Sequence, residues 1–268
     1  MTIIADSSLN RERILTELAR LQQNRPALPI QLEVLEKVDS TNHYALLQPE
    51  QRATYVCLAE QQTAGRGRLD RRWISPYASG LYLSLRQPYP TCCYPFTGLS
   101  IAIAIAVVKG LHHLGAVEVG IKWPNDLWWQ RQKLGGLLLE SRSVGGQIRD
   151  VVVGIGINVQ MPATEMKLVE QAWVDLATIL DVPVSRNQLA ALLIVECMQV
   201  LTEYPQVGLE KWMADWQRFD QIKGQSVTLL TQADEIKGIA QGIDETGALW
   251  LQTNQGLQRY GYGEVSIR

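Results

Sequence analysis

The amino-acid sequence predicts an α+β protein: a largely antiparallel or mixed sheet flanked by helices, followed by a small β-barrel. Three observations carry this. Short apolar stretches bounded by Gly, Pro and Asn recur between residues 31 and 159, as strands do. One stretch, Leu99 to Leu114, is apolar on nearly every side and too long for a strand, which marks a buried helix. From Lys223 to Arg268 the pattern alternates, with Gly224, Gly238, Gly242, Gly247, Gly256, Gly261 and Gly263 at turn-like spacing, the texture of a small barrel.

Taken in order, residues 8–23 form an amphipathic helix in which Ser8 is the candidate cap and Ile14, Leu15, Leu18 and Leu21 share a face. Pro26 and Pro29 end it. Segments below about 40 residues rarely fold alone, so residues 1–30 read as a short helical extension rather than a separate domain. Strands follow at Gln31–Val38, Thr54–Ala59 and Leu81–Leu85, the last two separated by an arginine-rich polar segment. After the buried helix come strands at Val117–Trp123, Leu127–Trp129, Leu134–Glu140 and Gln147–Val159, with Gly145-Gly146 turning the last two into a hairpin. Ser185–Glu203 and Leu209–Phe219 are helical in pattern. The change of texture after Phe219 places a boundary near 221, giving a main domain over 31–220 and a small one over 221–268.

Composition narrows the function. With 46% hydrophobic residues the chain can bury a real core. A net charge of −2 argues against a dedicated nucleic-acid binder, though not against local basic patches. The longest apolar run falls far short of the roughly 20 residues that a membrane span needs, and MTIIADSSLNRER lacks a signal pattern; no membrane association and a cytoplasmic location are expected. Cys57, Cys92, Cys93 and Cys197 form no C-x-x-C pair and have no histidine at zinc-ligand spacing, so they read as reduced structural thiols. His43, His112 and His113 lie in no recognisable catalytic motif and read as surface or helix-face residues.

Four segments carry candidate chemistry. Gly65 to Trp73 (GRGRLDRRW) holds four arginines and one aspartate, a local charge of +4 − 1 = +3. Glycines there let backbone amides approach an anion, so the stretch is either a phosphate-closing loop or a solvated basic loop; without a G-K-[ST] ending it is no P-loop. In Lys122-Trp123-Pro124-Asn125-Asp126 a strand enters a tight turn, and a further strand leaves carrying Lys133-Leu134-Gly135-Gly136. A turn alone does not account for a lysine beside two glycines, which often mark close approach of a ligand. Gly154-Ile155-Gly156-Ile157-Asn158 departs from G-x-G-x-x-G and lacks a following helix, so it reads as a glycine-bearing core strand or a nucleotide contact. Ser40-Thr41-Asn42 is either a helix N-cap or a set of hydrogen-bonding groups for a polar ring.

In this order the segments resemble the biotin protein ligases. Matching stretches are Ser40-Thr41-Asn42, Ala59 to Arg68, Lys122 to Asp126 with Lys133 to Gly136, and Gly154 to Asn158. The likeness runs from about residue 31 to the C-terminus, where Gly242-Ile243-Asp244, Gly247-Ala248-Leu249 and Gly263-Glu264-Val265-Ser266 look like the family's C-terminal domain. The resemblance implies a catalytic domain similar to class II aminoacyl-tRNA synthetases and biotin synthetases, with a C-terminal SH3-like barrel. It also implies two half-reactions: biotin and MgATP give biotinyl-5′-AMP and pyrophosphate, and a lysine of a biotin carboxyl carrier protein, part of acetyl-CoA carboxylase, then takes the biotinyl group and releases AMP. ATP and Mg²⁺ are the implied cofactors.

Residue by residue, the resemblance implies that Lys133, Arg68 and Asp126 are catalytic. Biotin falls to Ser40, Thr41, Asn42, Gln62, Gly65, Arg66, Gly67, Arg68, Lys133 and Gly136. ATP falls to Arg66, Arg68, Arg71, Asn125, Lys133, Asn158 and Trp173, the last at a position where the family often packs an aromatic on adenine, the other reading being core packing. Asp126 either orients Lys133 or holds a hydrated Mg²⁺; no full protein metal cage is expected. Biotinyl-AMP is labile in water, so residues 65–73 are expected to order over it. Two departures stand out: Asp70 where the family often has glycine, and Gly135 where alanine is common. Some members carry an N-terminal winged helix and repress biotin genes; the short N-terminal stretch leaves no room for one, so no operator DNA binding is expected. Pairing of two copies through sheet edges is a family habit. The competing readings are a lipoate or octanoate acyl ligase and a non-enzymatic biotin sensor.

Overall fold

The alternating stretches resolve into two sheets. The structure, a computed structural model, describes residues 8–23, 28–49, 52–89, 96–145, 147–231 and 234–267, without the side chains of residues 70, 144 and 147. The main sheet has seven strands: β1 (Ile30–Val38), β2 (Thr54–Gln62), β3 (Gly80–Pro88), β4 (Gly120–Lys122), β5 (Asp126–Trp129), β6 (Gln132–Val144) and β7 (Gln147–Asn158). Their order is β1-β2-β3-β7-β6-β5-β4. Only β1 and β2 run parallel; every other pair is antiparallel, so the sheet is mixed. The parallel pair requires a crossover, and α2 (Thr41–Leu47) supplies it.

β2 and β3 are buried along most of their length because helices cover both faces. On one face lies α3 (Leu99–His113), apolar all round as its sequence requires and packed on α6 (Arg186–Val207). On the other lies α2, over a small cluster of Ala45, Tyr55, Cys57 and Val152. α1 (Arg11–Leu21) packs Ile14 and Leu18 into the main core against α6. Two short helices, α4 (Ala163–Met166) and α5 (Leu176–Leu180), connect β7 to α6, and α7 (Met213–Phe219) follows it.

Some boundaries differ from expectation. Asn10, not Ser8, caps the first helix: its side chain accepts from Arg13 N, while Ser8 and Leu9 precede the helix. Pro26 lies outside the described residues, and the helix has already ended at Leu21. The strand expected at Val117–Trp123 is only β4, since Val117 sits in the exposed turn after α3. The helix expected at Leu209–Phe219 splits into a 3₁₀ turn, Glu210–Trp212, and α7. Gly146 of the expected glycine hairpin is not described, but Val144 and Gln147 do pair across it. Cys57 and Cys197 are buried free thiols, with burial pushing Cys57 up to about 12; Cys92 and Cys93 lie outside the described residues.

The second sheet comprises β8 (Ser226–Leu230), β9 (Glu235–Ile243), β10 (Leu249–Thr253), β11 (Gly256–Tyr260) and β12 (Glu264–Ile267), in the order β11-β10-β9-β8-β12, all antiparallel. This fits an SH3-like domain, but the closed barrel expected from the glycine spacing is absent among the described residues. The four-residue β12 spends its one ladder on β8, so β11 and β12 remain edges. The apolar residues of this sheet continue the main core, and the Trp123 indole N–H donates to Gly247 O at 2.9 Å across the junction. Among the described residues, no helix is long and apolar enough to cross a membrane.

Candidate active site

The floor of the main cavity is the β6–β7 pair. Strand alternation puts Gly154, Gly156 and Asn158 on one face of β7, opposite Gly136 of β6. A Cβ on Gly156 would lie 2.7 Å from the Trp73 indole, and one on Gly154 would collide with the Asn42 amide. The glycines therefore admit side chains that cross the strand, and the segment is a strand rather than a dinucleotide turn. Gly135 faces the other way; its Cβ would meet Gly156 O at 2.5 Å, so the room it leaves is taken by backbone.

Ser40 caps α2 by accepting from His43 N, which brings Thr41 and Asn42, both buried, to the cavity wall. Gln62 Oε1 accepts from Thr41 N at 2.9 Å and Thr41 Oγ1 at 3.1 Å. The Ser84 hydroxyl lies 2.8 Å from Thr41 Oγ1 and 2.6 Å from Asn42 Oδ1, and Asn42 Nδ2 donates to Glu140 Oε2 at 2.9 Å. Such a connected polar network holds its members in one arrangement.

Residues 65–73 fold back on themselves: Trp73 N donates to Gly65 O at 2.9 Å and Gly67 N to Arg71 O at 2.7 Å. Gly65 sits inside this turn, where a Cβ would lie 2.7 Å from Trp73 O, so it shapes the wall without lining it. Arg66 forks onto both Glu140 oxygens at 2.7 Å. Arg68 reaches Asn125 Oδ1 at 3.5 Å and Gly263 O at 3.3 Å, and its pKa is lowered, chiefly by burial. Arg71 pairs with Glu264 at 2.5 Å, tying the loop to the second sheet. The Asp70 side chain lies outside the described residues.

Lys133 is the second residue of β6 and does not lie on the strand directly after the turn. The β5–β6 hairpin carries it back over Asp126, whose Oδ1 holds its ammonium at 2.7 Å; Lys122 stands 3.9 Å from the other oxygen. Burial lowers the Lys122 pKa, and Asp126 partly restores it. Lys133 Nζ also lies 5.6 Å from the centre of the Trp73 ring. Backbone bonds from Lys133 N to Ala172 O at 2.9 Å and from Val174 N to Lys133 O at 3.0 Å place Trp173 at the cavity. Asn158 Nδ2 donates to Val174 O at 3.0 Å and Asn125 Nδ2 to Leu137 O at 2.5 Å, so both amides are braced by neighbouring backbone. Among the described residues, no three His, Cys, Asp or Glu side chains converge as a metal cage would require.

The structure thus brings the expected site residues together, with Gly65 just behind the surface. Sequence reading held Trp73 and Lys122 in its candidate segments without giving them a role, and did not single out Ser84, Glu140 and Glu264 for the site. Glu140 was within reach, because 136, 138 and 140 share a strand face; Glu264 was not, because its contact spans the junction between the sheets.

Residues 34–158 match the model of the biotin/lipoate A/B protein ligase family, and residues 223–268 that of the biotin protein ligase C-terminal domain. The chain is 39% identical over 236 residues to the bifunctional ligase/repressor BirA of Escherichia coli, covering 88% of this chain and 73% of that one. It is 30% identical over 237 residues to the biotin–[acetyl-CoA-carboxylase] ligase of Paracoccus denitrificans, covering 87% and 98%. The chain belongs to the biotin protein ligase family. Biotin protein ligase from Aquifex aeolicus, solved in complex with biotin and ATP, superposes with a TM-score of 0.77 at 26% identity, covering 89% of this chain and 98% of that one. The relatives named here are biotin ligases, which favours biotin over the lipoate, octanoate and sensor readings of the sequence.

Proposed function

We propose that the chain joins biotin to ATP as biotinyl-5′-AMP, releasing pyrophosphate, and then transfers biotin to a lysine of a biotin carboxyl carrier protein. The observation that carries this is the Lys133 ammonium, held at 2.7 Å by Asp126 at the meeting point of a polar network and an arginine loop. Biotin and ATP are both anions, and two unit charges about 4 Å apart repel by roughly 4 kcal/mol at an effective dielectric of 20. Cations in a closed cavity offset that repulsion. The ring system of biotin is assigned to Ser40, Thr41, Asn42 and Gln62, and its carboxylate to the Gly65–Arg68 turn, Lys133 and Gly136. The nucleotide is assigned to Arg66, Arg68, Arg71, Asn125, Asn158 and Trp173.

In the first step a carboxylate oxygen bonds to the α-phosphorus and the bond to pyrophosphate breaks. Lys133 moves from Asp126 to the oxygens on which charge builds, and Lys122 keeps Asp126 compensated meanwhile. Arg68 and the folded loop hold the anhydride and exclude water from it. In the second step the carrier lysine amine attacks the anhydride carbonyl, a C–N bond forms, and the C–O bond to AMP breaks. Mg²⁺ would come to this donor set carried by the triphosphate, with Asp126 the carboxylate that could face it, and would supply further charge neutralisation. We also place the boundary between the two domains near residue 221 and take β1, an edge of the main sheet, as the surface on which two copies would pair.

The decisive experiment is incorporation of labelled biotin into a purified carrier domain with ATP and Mg²⁺. Label is expected only when the acceptor lysine and ATP are both present; no label under these conditions overturns the proposal. A second expectation concerns Gly154→Ala. The added Cβ displaces the Asn42 amide, so biotin affinity measured by titration is expected to fall by at least about tenfold, as a lost buried network predicts. Unchanged affinity would remove Asn42 from the biotin contacts.

A further inference from the structure

Beneath α2, buried polar and charged side chains stand beside the small apolar cluster. On β3, Leu81, Leu83 and Leu85 enter the main core, while Ser84 and Arg86 point the opposite way and are buried under α2. Arg86 is 2% exposed. Its Nη1 donates to the carbonyls of Gln48 at 2.6 Å, Pro49 at 3.2 Å and Ala45 at 3.4 Å, where α2 ends. Its Nε donates to Asp150 Oδ1 at 3.1 Å, and Asp150, equally buried, also accepts from Arg142 Nε at 2.7 Å.

An ion pair this deep is a poor way to gain stability, since apolar residues of similar volume often do as well or better. It does what an apolar residue cannot: one guanidinium donates to the Ala45 carbonyl in the last turn and to the Gln48 and Pro49 carbonyls just past it, and places a cation where the dipole favours it. α2 has seven residues, too few to hold itself. β3 therefore grips it twice, with Ser84 at the first turn and Arg86 at the last.

We propose that Arg86, clamped by Asp150, is a positioning residue for biotin: it fixes α2 and thereby sets Thr41 and Asn42 at the cavity. This rests on the assignment of Thr41 and Asn42 to biotin. Residues assigned to the nucleotide lie on other elements, so the effect is selective for one substrate.

The test is biotin-dependent pyrophosphate exchange, with KM measured separately for biotin and ATP, alongside thermal melting. Arg86→Met is expected to raise the biotin KM about tenfold or more, since displacements of about 1 Å at a positioned group have effects of that order or larger, and to move the ATP KM by less than about twofold. Arg86→Lys, which keeps the charge but not the fork, is expected to fall in between. Should Arg86→Met not fold, Arg86→Lys and the near-isosteric Asp150→Asn decide the matter, both with the same selective rise. A lower melting temperature with both KM values unchanged overturns the proposal, because a purely structural role predicts that. Asn42→Ala is the reference: a raised biotin KM there with none in the Arg86 and Asp150 variants overturns the positioning role and leaves the biotin subsite standing. If Asn42→Ala is silent too, both fall.

Discussion

Lys133→Ala is expected to lower kcat/KM for biotin adenylation by about 10³-fold, which is roughly 4 kcal/mol of transition-state stabilisation. The magnitude follows from the role. Removing one hydrogen-bond donor at a site of developing charge typically costs about 10²- to 10³-fold, and Lys133 brings a full charge into a cavity sheltered by the arginine loop. Most of the loss is expected in kcat, with the biotin KM moving less, because charge on the α-phosphate grows only in the transition state. The fold is expected to survive. Asp126 keeps Lys122 at 3.9 Å, so no carboxylate is left wholly uncompensated. Lys133→Arg is not expected to rescue, since a planar guanidinium spreads its charge over a fork and cannot place it as the compact ammonium does. Pyrophosphate exchange and melting curves on the same preparations check this, and a variant within about tenfold of the parent would remove Lys133 from the chemical step.

The largest stability effect is expected near the C-terminal end of β2, where Glu60 lies. Glu60 and Arg186 form a buried pair at 2.7 Å, with side chains 7% and 2% exposed. Glu60 Oε1 also accepts from Leu9 N at 2.5 Å, and Arg186 Nη1 donates to Gly80 O at 3.2 Å. Next to Arg186, Asn187 accepts from Asn10 N at 2.8 Å and donates to Ser8 O at 2.9 Å. One buried junction therefore holds the entry to α1, the ends of β2 and β3, and the start of α6. Glu60→Ala removes the carboxylate paired with the guanidinium and the acceptor of the Leu9 amide, and breaking such a pair costs about 3–5 kcal/mol. For a chain of this size that is roughly 10 °C in melting temperature. The double variant Glu60→Ala/Arg186→Met is expected to be less destabilised than the sum of its parts, because the two changes break one shared pair. A melting shift below about 3 °C for Glu60→Ala, or strict additivity in the double variant, would show that the junction contributes little.

Both effects concern residues whose partners lie far off in the chain, and that separates what was legible in the sequence from what was not. Leu99–His113 could be read directly, because a helix apolar all round has nowhere to go but a core. The main-sheet strands other than β4, which proved shorter, were legible to within a few residues from their apolar runs and turn residues. The glycine spacing after Phe219 correctly announced short strands, but closure depends on which edges meet, and β12 is spent on β8. The candidate site was legible as motifs because its members cluster locally: Ser40 to Asn42 in the first turn of one helix, Gly65 to Arg71 in one loop, Lys122 to Gly136 across one hairpin.

By itself, then, the sequence determined the mixed α+β class, the family and the residue types offered to substrate, because these are set by local pattern and local chemistry. Only the tertiary structure decided that Arg66 pairs with Glu140, that Arg71 is held by Glu264, and that Trp73 lies across Gly156. It alone put Arg86 under the end of α2. Those pairings depend on strand order and register, in which a shift of one residue turns each side chain to the opposite face, and no local pattern specifies them.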